Sequence, residues 1–535
     1  MSLLRDLMAS ADSNDVEELP DIVDRTSRQK ILLIYQRNYM TDRRAPLSRG
    51  PERFRQPDFE VPGFEWRNDG AIEAKTVADV EALVRFASGN GKILRVVGSG
   101  HSHEEAIFTD ERDDLRIILC AQLRNITVIS SDPGGAVLEV GGGCYLGVNP
   151  SDPLSKEENS LNRFLDAKGY AFPILGGISH QSIAGFLQTG SAGGSIENSF
   201  ASAIEAIQIV DGQAQARWLK GDDLNAAAVS MGLMGVITSV RIKAQPTYFV
   251  AGEEKNFEAT TTFLRKDAKG KYALEADMRG STYFHLNWFP QKFVKRATFW
   301  QGSAVAASGT ADPYVSELKD GLMSVMAAVV LEITSVLLLD PKSTLAQRIV
   351  GAFLRKFVPL DEGQNFRDKW WATLPCDDQV RVDAEIKVIF TEIWFPFDKI
   401  HAVMDRLTTL FDKPGSAAPG NFITELYGAE NSPFWLSPAY ETDSFRVDVF
   451  WWAYNAGNPR KHFALFWDAL LDVPGARLHW GKQLPDPGKK YGSVVFNPQF
   501  LKNAYPKFEA WHAIRRQMDP RGIFLSPYWR KILGS

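Results

Sequence analysis

The chain has little cysteine. Its 535 residues include three, Cys120, Cys144 and Cys376. An odd, widely spaced set makes no disulfide framework and reads as buried thiols. There is no excess of positive charge either. The 60 Lys and Arg stand against 65 Asp and Glu, a formal net charge of −5, which argues against nucleic acid or another polyanion as partner. The first residues, MSLLRDLMASADSNDVEELPD, are acidic and lack an apolar core. No secretory signal is read there, and the expected location is cytoplasmic. Repeats and low-complexity tracts are missing. Long apolar runs are scarce: residues 322–339, LMSVMAAVVLEITSVLLL, approach membrane length but carry Glu332 near the middle. The run is expected to be a buried core helix, with a substrate lid or a peripheral membrane contact as the alternative and no transmembrane span.

What is present is a globular composition, 44% hydrophobic and 23% charged. A chain of this length exceeds one ordinary core, so two or three packed units are expected. Residues 1–60 read as an N-terminal arm, polar and weakly periodic. Residues 61–245 alternate short strands with helices. VADVEALVRFASGNG has the period of an amphipathic helix with a Gly stop, and KILRVV, AVLEVGGG, AIEAIQIVDG and GVITSVRIKA read as strands. Residues 246–472 change texture. STYFHLNWFP, KRATFW, AEIKVIFTEIWFP and SFRVDVFWWAY are aromatic-rich strand runs with helices between them, which predicts a large antiparallel sheet flanked by helices. Residues 473–535 form a loop-rich tail ending in the helix PKFEAWHAIRRQMDP, packed back on the first unit.

Chemistry enters at two glycine loops. Arg95-Val96-Val97-Gly98-Ser99-Gly100-His101-Ser102-His103 runs from a strand into a turn with glycines two apart. Such a loop presents consecutive backbone N–H groups, which suits a pyrophosphate. It lacks the third glycine of the dinucleotide fingerprint, and alone it is as well read as a plain turn. His101, His103, Glu104 and Glu105 could be read as a metal site, but no third histidine is close, so no metal is expected. The second region, Gly176 to Gly185 and then Thr189 to Ser195, is equally glycine-rich and brackets a short helical run. Two anion cradles in one unit could wrap a dinucleotide.

The run RVVGSGHSH resembles the flavin-attachment loop of the vanillyl-alcohol-oxidase superfamily, with its p-cresol-methylhydroxylase (PCMH) type FAD domain. The nearest groups are the alditol oxidases, the aldonolactone (gulonolactone and arabinonolactone) oxidases and the covalent-flavin cholesterol oxidases. FPILGGISHQSIAGFLQTG, MGLMGVITSVRI, FWLSPAY and LHWGK are similar too, in order, over about residues 65–530. The resemblance implies an α+β fold: a PCMH-type FAD-binding domain over 61–245, a substrate or cap domain over 246–472, and a tail over 473–535. It implies FAD held by Val97, Gly98, Ser99, Gly100, Ser102, Gly176, Gly177, Ser182, Gly185, Thr189, Gly190, Gly235 and Ile237. The histidine before serine in the family loop carries the flavin 8α-methyl, which maps onto His101. A single histidyl link follows, because the loop that bears a second, cysteinyl link elsewhere has Gly-Gly here. A small residue at Gly176 would leave room for dioxygen, unless that glycine only permits a tight turn.

The implied activity is oxidation of a CH–OH group of a polyol, sugar lactone or related small alcohol, with dioxygen reduced to peroxide. A dehydrogenase using another acceptor, or an oxidase of a bulkier, less polar alcohol such as a sterol or secondary metabolite, are the alternatives. Lys482 of LHWGK matches the active-site lysine, whose charge steadies the anionic reduced flavin. Glu425 matches the glutamate of the family's Glu-x-Arg, but Tyr427 stands where the arginine should be. Arg446 and Asp448 share a strand face. They are expected to restore the charge and, with Glu425, to supply the proton acceptor, or else to form a structural pair on an exposed face. Glu392 lies on an otherwise apolar strand face and is expected in a structural ion pair.

Overall fold

A computed structural model describes residues 57–107, 114–149, 152–315, 343–356, 358–360, 362–375, 388–452, 455 and 457–535. Most of the N-terminal arm, the apolar run 322–339 and Cys376 lie outside the described residues.

The chain opens on a small parallel sheet of β1 (Ile72–Ala74), β2 (Leu94–Val96) and β3 (Leu115–Leu119), in the order β1-β3-β2. Helix α1 (Val77–Asn90) covers it with Val80, Leu83, Val84 and Ala87. Thr76 and Asp79 close a capping box at its start, and Gly91 ends it in the left-handed region at φ 63°.

A second, antiparallel sheet follows, with strands β4 (Ile126–Asp132), β5 (Gly135–Gly141), β6 (Tyr170–Ala171), β7 (Ile204–Val210), β8 (Ala216–Leu219) and β9 (Val236–Pro246). Its order is β4-β5-β9-β7-β8, with β6 also paired to β9. The short helix α2 (Ile183–Gln188) lies beside β9, its first turn capped by Ser182.

After Pro246 the chain passes directly into β10 (Tyr248–Glu258) of the third sheet. The others are β11 (Tyr283–Phe289), β12 (Arg296–Ala306), β13 (Gly363–Lys369), β14 (Val388–Pro396), β15 (Thr424–Ala429), β16 (Ser444–Trp452) and β17 (Arg477–Leu478). The order is β13-β10-β12-β11-β15-β16-β14-β17, antiparallel at every pair. Helices α3 (Ile400–Asp412) and α4 (Pro459–Leu470) press Val403, Leu407, Phe463 and Trp467 onto one face. Because strand side chains alternate, the other face is left to Phe390, Glu392 and Trp394 of β14, Arg446, Asp448 and Phe450 of β16, and Glu425 and Tyr427 of β15.

The tail returns to the first sheet. The Leu94 N–H donates to Ile523 O at 2.8 Å, and the Trp529 indole donates to Ala106 O at 3.0 Å. The expected tail helix is α5 (Phe508–Met518). A further helix, α6 (Pro527–Leu533), follows it, with Pro527 in the first turn where a missing N–H costs nothing.

Candidate functional site

An open cleft with about 1030 Å³ of free space runs between the first two sheets and the returning tail. Its wall includes Val97, Gly98, Ser99, Gly100, His101 and Ser102, then Ser182, Gly185 and Thr189, and then Gly235 and Ile237. Glycine is required here by close approach. A Cβ on Gly98 would stand 2.8 Å from Ser182 Oγ, and one on Gly142 would stand 2.1 Å from Ile237 O. Gly100 turns the chain at φ 83° just before His101. Arg95 is buried behind the loop and donates to the carbonyls of Ala106 and Met231, both at 2.8 Å. Its spread guanidinium ties β2 to the opposite wall.

Three of the sequence-predicted glycines are not on that wall. Gly176 is buried against Phe186, whose Cε2 would be 2.9 Å from an added Cβ. Gly190 is left-handed at φ 72° beside Pro438 and Val229. Gly177 borders a small separate cavity with His285 and Tyr427. The loop after α2 is also less of an anion cradle than expected. Gly194 lies under the third sheet, where a Cβ would meet Phe284 O at 2.2 Å, and Ser195 pairs with Ala429.

The second half of the site is the buried face of the third sheet opposite helices α3 and α4. In register across it lie Asn287, Glu425, Asp448 and Glu392, one from each of β11, β15, β16 and β14. The next row holds Tyr427, Arg446 and Trp394. Arg446 donates from Nη2 to Asp448 Oδ2 at 3.0 Å and from Nη1 to Ala192 O at 2.9 Å. Its guanidinium carbon stands 3.5 Å from the centre of the Tyr427 ring. The charge missing at 427 thus arrives from the neighbouring strand. The pair is deeply buried rather than on an exposed face, with side chains 5% and 1% exposed. Asp448 Oδ1 has no hydrogen-bond partner among the described residues. Tyr427 Oη donates to Glu425 Oε2 at 3.4 Å, and His285 Nε2 is 3.7 Å from the same oxygen.

Lys482 joins the halves. The loop 479–483 follows β17 along β14, with Gln483 N donating to Phe390 O at 3.0 Å. The Trp480 indole donates to Leu436 O at 2.7 Å, so the FWLSPAY run pins the lysine loop from behind. Lys482 Nζ stands 3.8 Å from Glu392 Oε1 and 3.6 Å from the Phe390 ring centre. On the other side His103 N donates to Gly481 O at 2.6 Å, which locks the histidine loop to the lysine loop. His101 and His103 diverge. The His101 ring meets His180 at a 4.0 Å centroid distance, whereas His103 faces Tyr528 and Glu105.

Burial sets the protonation states. It holds His101 well below the ordinary histidine range, with His180 and Lys482 adding to the effect. It lowers His479 to about 4 and pulls Lys482 below the usual lysine value against the opposing pull of Glu392. Burial would raise Glu392, but His479, Arg446 and Lys482 outweigh it and bring the carboxyl down to about 2. Asp448 goes the other way: burial lifts it far above the aspartate range against the opposing pull of Arg446, with Glu392 and Glu425 adding to the rise.

Sequence reasoning passed over His180, Gly142, Trp480 and His285. Gly142 carried a signal as the middle of a three-glycine strand end, and His180 and Trp480 lie inside the runs FPILGGISHQSIAGFLQTG and LHWGK. His285 is brought in by register.

Comparison with known proteins gives the following. The family model "D-arabinono-1,4-lactone oxidase" matches residues 240–532, and an "FAD binding domain" model matches residues 69–220. The chain is 22% identical over 468 residues to an L-gulonolactone oxidase of Scyliorhinus torazame, covering 86% of this chain and 94% of that one. It is 23% identical over 470 residues to an L-gulono-1,4-lactone dehydrogenase of Mycobacterium tuberculosis, covering 86% and 95%. Among solved structures, a cholesterol oxidase from B. sterolicum superposes with a TM-score of 0.63 at 13% identity, over 86% of this chain and 94% of that one. That likeness shows the fold.

Proposed function

The chain belongs to the D-arabinono-1,4-lactone oxidase family, within the vanillyl-alcohol-oxidase superfamily, and from that premise we propose that it oxidises a CH–OH group of a sugar lactone or related polyol, with dioxygen as acceptor. The cleft fits FAD. It is walled by backbone at positions where a Cβ has no room, and both His101 and Trp480, from the histidine and lysine loops, stand on its wall. Val97 to Ser102, Ser182, Gly185, Thr189, Gly235 and Ile237 would hold the cofactor. When bound, FAD supplies the hydride acceptor and the route for electrons to dioxygen.

The covalent link is assigned to His101. A nitrogen that forms a bond must be unprotonated, and desolvation keeps this imidazole so. With FAD in the cleft, the neutral imidazole of His101 would be the group that joins it to the chain. Cys144 is fully buried away from the cleft wall, its thiol pushed up to about 12, and offers no second link.

On the sheet face Lys482 and Arg446 supply fixed positive charge next to the junction, which stabilises negative charge that develops during reaction. Glu425 is the acceptor of the substrate hydroxyl proton. Burial favours the protonated form of Asp448, and Glu392 is paired with Lys482, which supports Glu425 in that role. The observation that carries the reading is the His103–Gly481 bond, which ties the loop of His101, on the cleft wall, to the loop of Lys482.

A panel of aldonolactones, alditols, sterols and hydroxylated secondary metabolites, each assayed for hydrogen peroxide, tests this. Peroxide with lactones or alditols is expected. Flavin reduction by those substrates without peroxide would make the enzyme a dehydrogenase. Peroxide only with sterols would overturn the substrate class.

A further inference from the structure

We infer that Glu425, Asp448 and Glu392 act as one proton-sharing row, with Asp448 as its resident acid and Glu392 as a positioning residue that keeps it so. The inference rests on the proposed function only in taking this face as the reacting face.

The row is set by register. Asp448 of β16 pairs directly with Glu425 on one side and with Glu392 on the other. Directly opposed side chains on one face have Cβ atoms about 5 Å apart, and like charges there repel. All three carboxyls are buried, at 6%, 0% and 4% exposure in the order Glu425, Asp448, Glu392. The cations facing them are Arg446, two residues along from Asp448 on β16, and Lys482 on the loop beside β14. Three carboxylates against two cations would leave one buried negative charge uncompensated, which is costly. One proton removes the deficit.

The proton belongs on the middle member. Asp448 has an acidic neighbour on each side, and the flanking groups have one each. It is also the most deeply buried of the three. Its two oxygens are unlike: Oδ2 accepts from Arg446, whereas Oδ1 has no partner among the described residues. That division suits a neutral acid whose carbonyl oxygen faces the guanidinium and whose hydroxyl is the other oxygen. His479 is held neutral by burial, with a value of about 4. Tyr427 and His285 sit at the Glu425 end, and Trp394 donates to Glu392 Oε2 at 3.2 Å. Glu392 is thereby fixed as an anion beside Lys482, and it is this fixed charge that favours the acid form of Asp448.

The device has a catalytic consequence. With Asp448 neutral, the row and its two cations carry no net charge at rest. When Glu425 takes the substrate hydroxyl proton, they carry one net positive charge, gained as the hydride leaves the substrate.

Infrared spectroscopy on the flavin-loaded protein tests this, through the C=O stretch of a protonated carboxyl and its shift in D2O. The wild-type minus Asp448→Asn difference spectrum at neutral pH is expected to show that band. In Glu392→Gln the band should titrate away at lower pH, because the anion that held the proton is gone. Glu425→Gln should move it in the same direction, so one variant that fails to fold does not remove the test. No band in the difference spectrum, or the same titration point in Glu392→Gln as in wild type, would overturn the inference. Lactone-dependent peroxide release, measured on the same samples, separates the two claims. Peroxide without the band leaves the proposed function standing and the row refuted, whereas the band without turnover does the reverse.

Discussion

Position 427 shows how one residue can be replaced by another that is not its neighbour in sequence. The resemblance implied an arginine at this position; the chain has Tyr427, and its phenol ring is the platform for a guanidinium from the next strand, 3.5 Å from the ring centre. A cation over an aromatic face keeps both the charge and the packing. Arg446→Met is therefore expected to leave flavin binding intact and to lower kcat about 100-fold, the usual scale for one preorganised electrostatic partner. Steady-state kinetics with the flavin absorbance as active-site count measures it, and unchanged turnover would return Arg446 to a packing role. The residues of this argument were legible because strand alternation puts Glu425 with Tyr427, and Arg446 with Asp448, on one face. Nothing in the sequence told how those two strands lie against each other.

Strand order is the step that sequence reading lacks. The row Asn287, Glu425, Asp448, Glu392 crosses β11, β15, β16 and β14, an order in space that is not their order in the chain. Local pattern shows a run to be a strand, but not its partner or register. Glu392 thus reads from sequence as a stray acid on an apolar face, although it is the third member of a charged row. Elements defined by local signals were well marked. Helix α1 has its capping threonine and its stop glycine, and the aromatic runs became β11, β12, β14 and β16. The loop Thr189–Ser195 was misleading for a physical reason: glycine serves close backbone packing as readily as anion binding, and Gly193 and Gly194 serve the former. The helix α6 was hidden by a proline that breaks most helices and begins this one.

At the scale of the whole molecule, the tail holds the two halves together and the buried histidines set its tolerance of acid. His103, His462 and His479 are each lowered to about 4 by burial, against about 6.5 in an unfolded chain. A folded value below the unfolded one means that unfolding takes up protons. The contribution is fully present above about pH 6.5 and is lost as pH falls toward 4. Near pH 5 these groups alone take up nearly three protons, a slope approaching roughly 4 kcal/mol per pH unit. Denaturant unfolding of the flavin-loaded protein at pH 7 and pH 5 should show a marked fall in midpoint. Equal midpoints would mean that these imidazoles are charged or solvated in the native state.

The central claim is the proposed bond between the flavin and His101 on the cleft wall, beside the contact of the histidine and lysine loops. Mass spectrometry of the denatured polypeptide tests it most directly. The account predicts that the wild-type chain carries the added mass of FAD and that His101→Ala, purified in the same way, has the mass of the bare polypeptide. A yellow native protein whose denatured wild-type chain carries no added mass would contradict it.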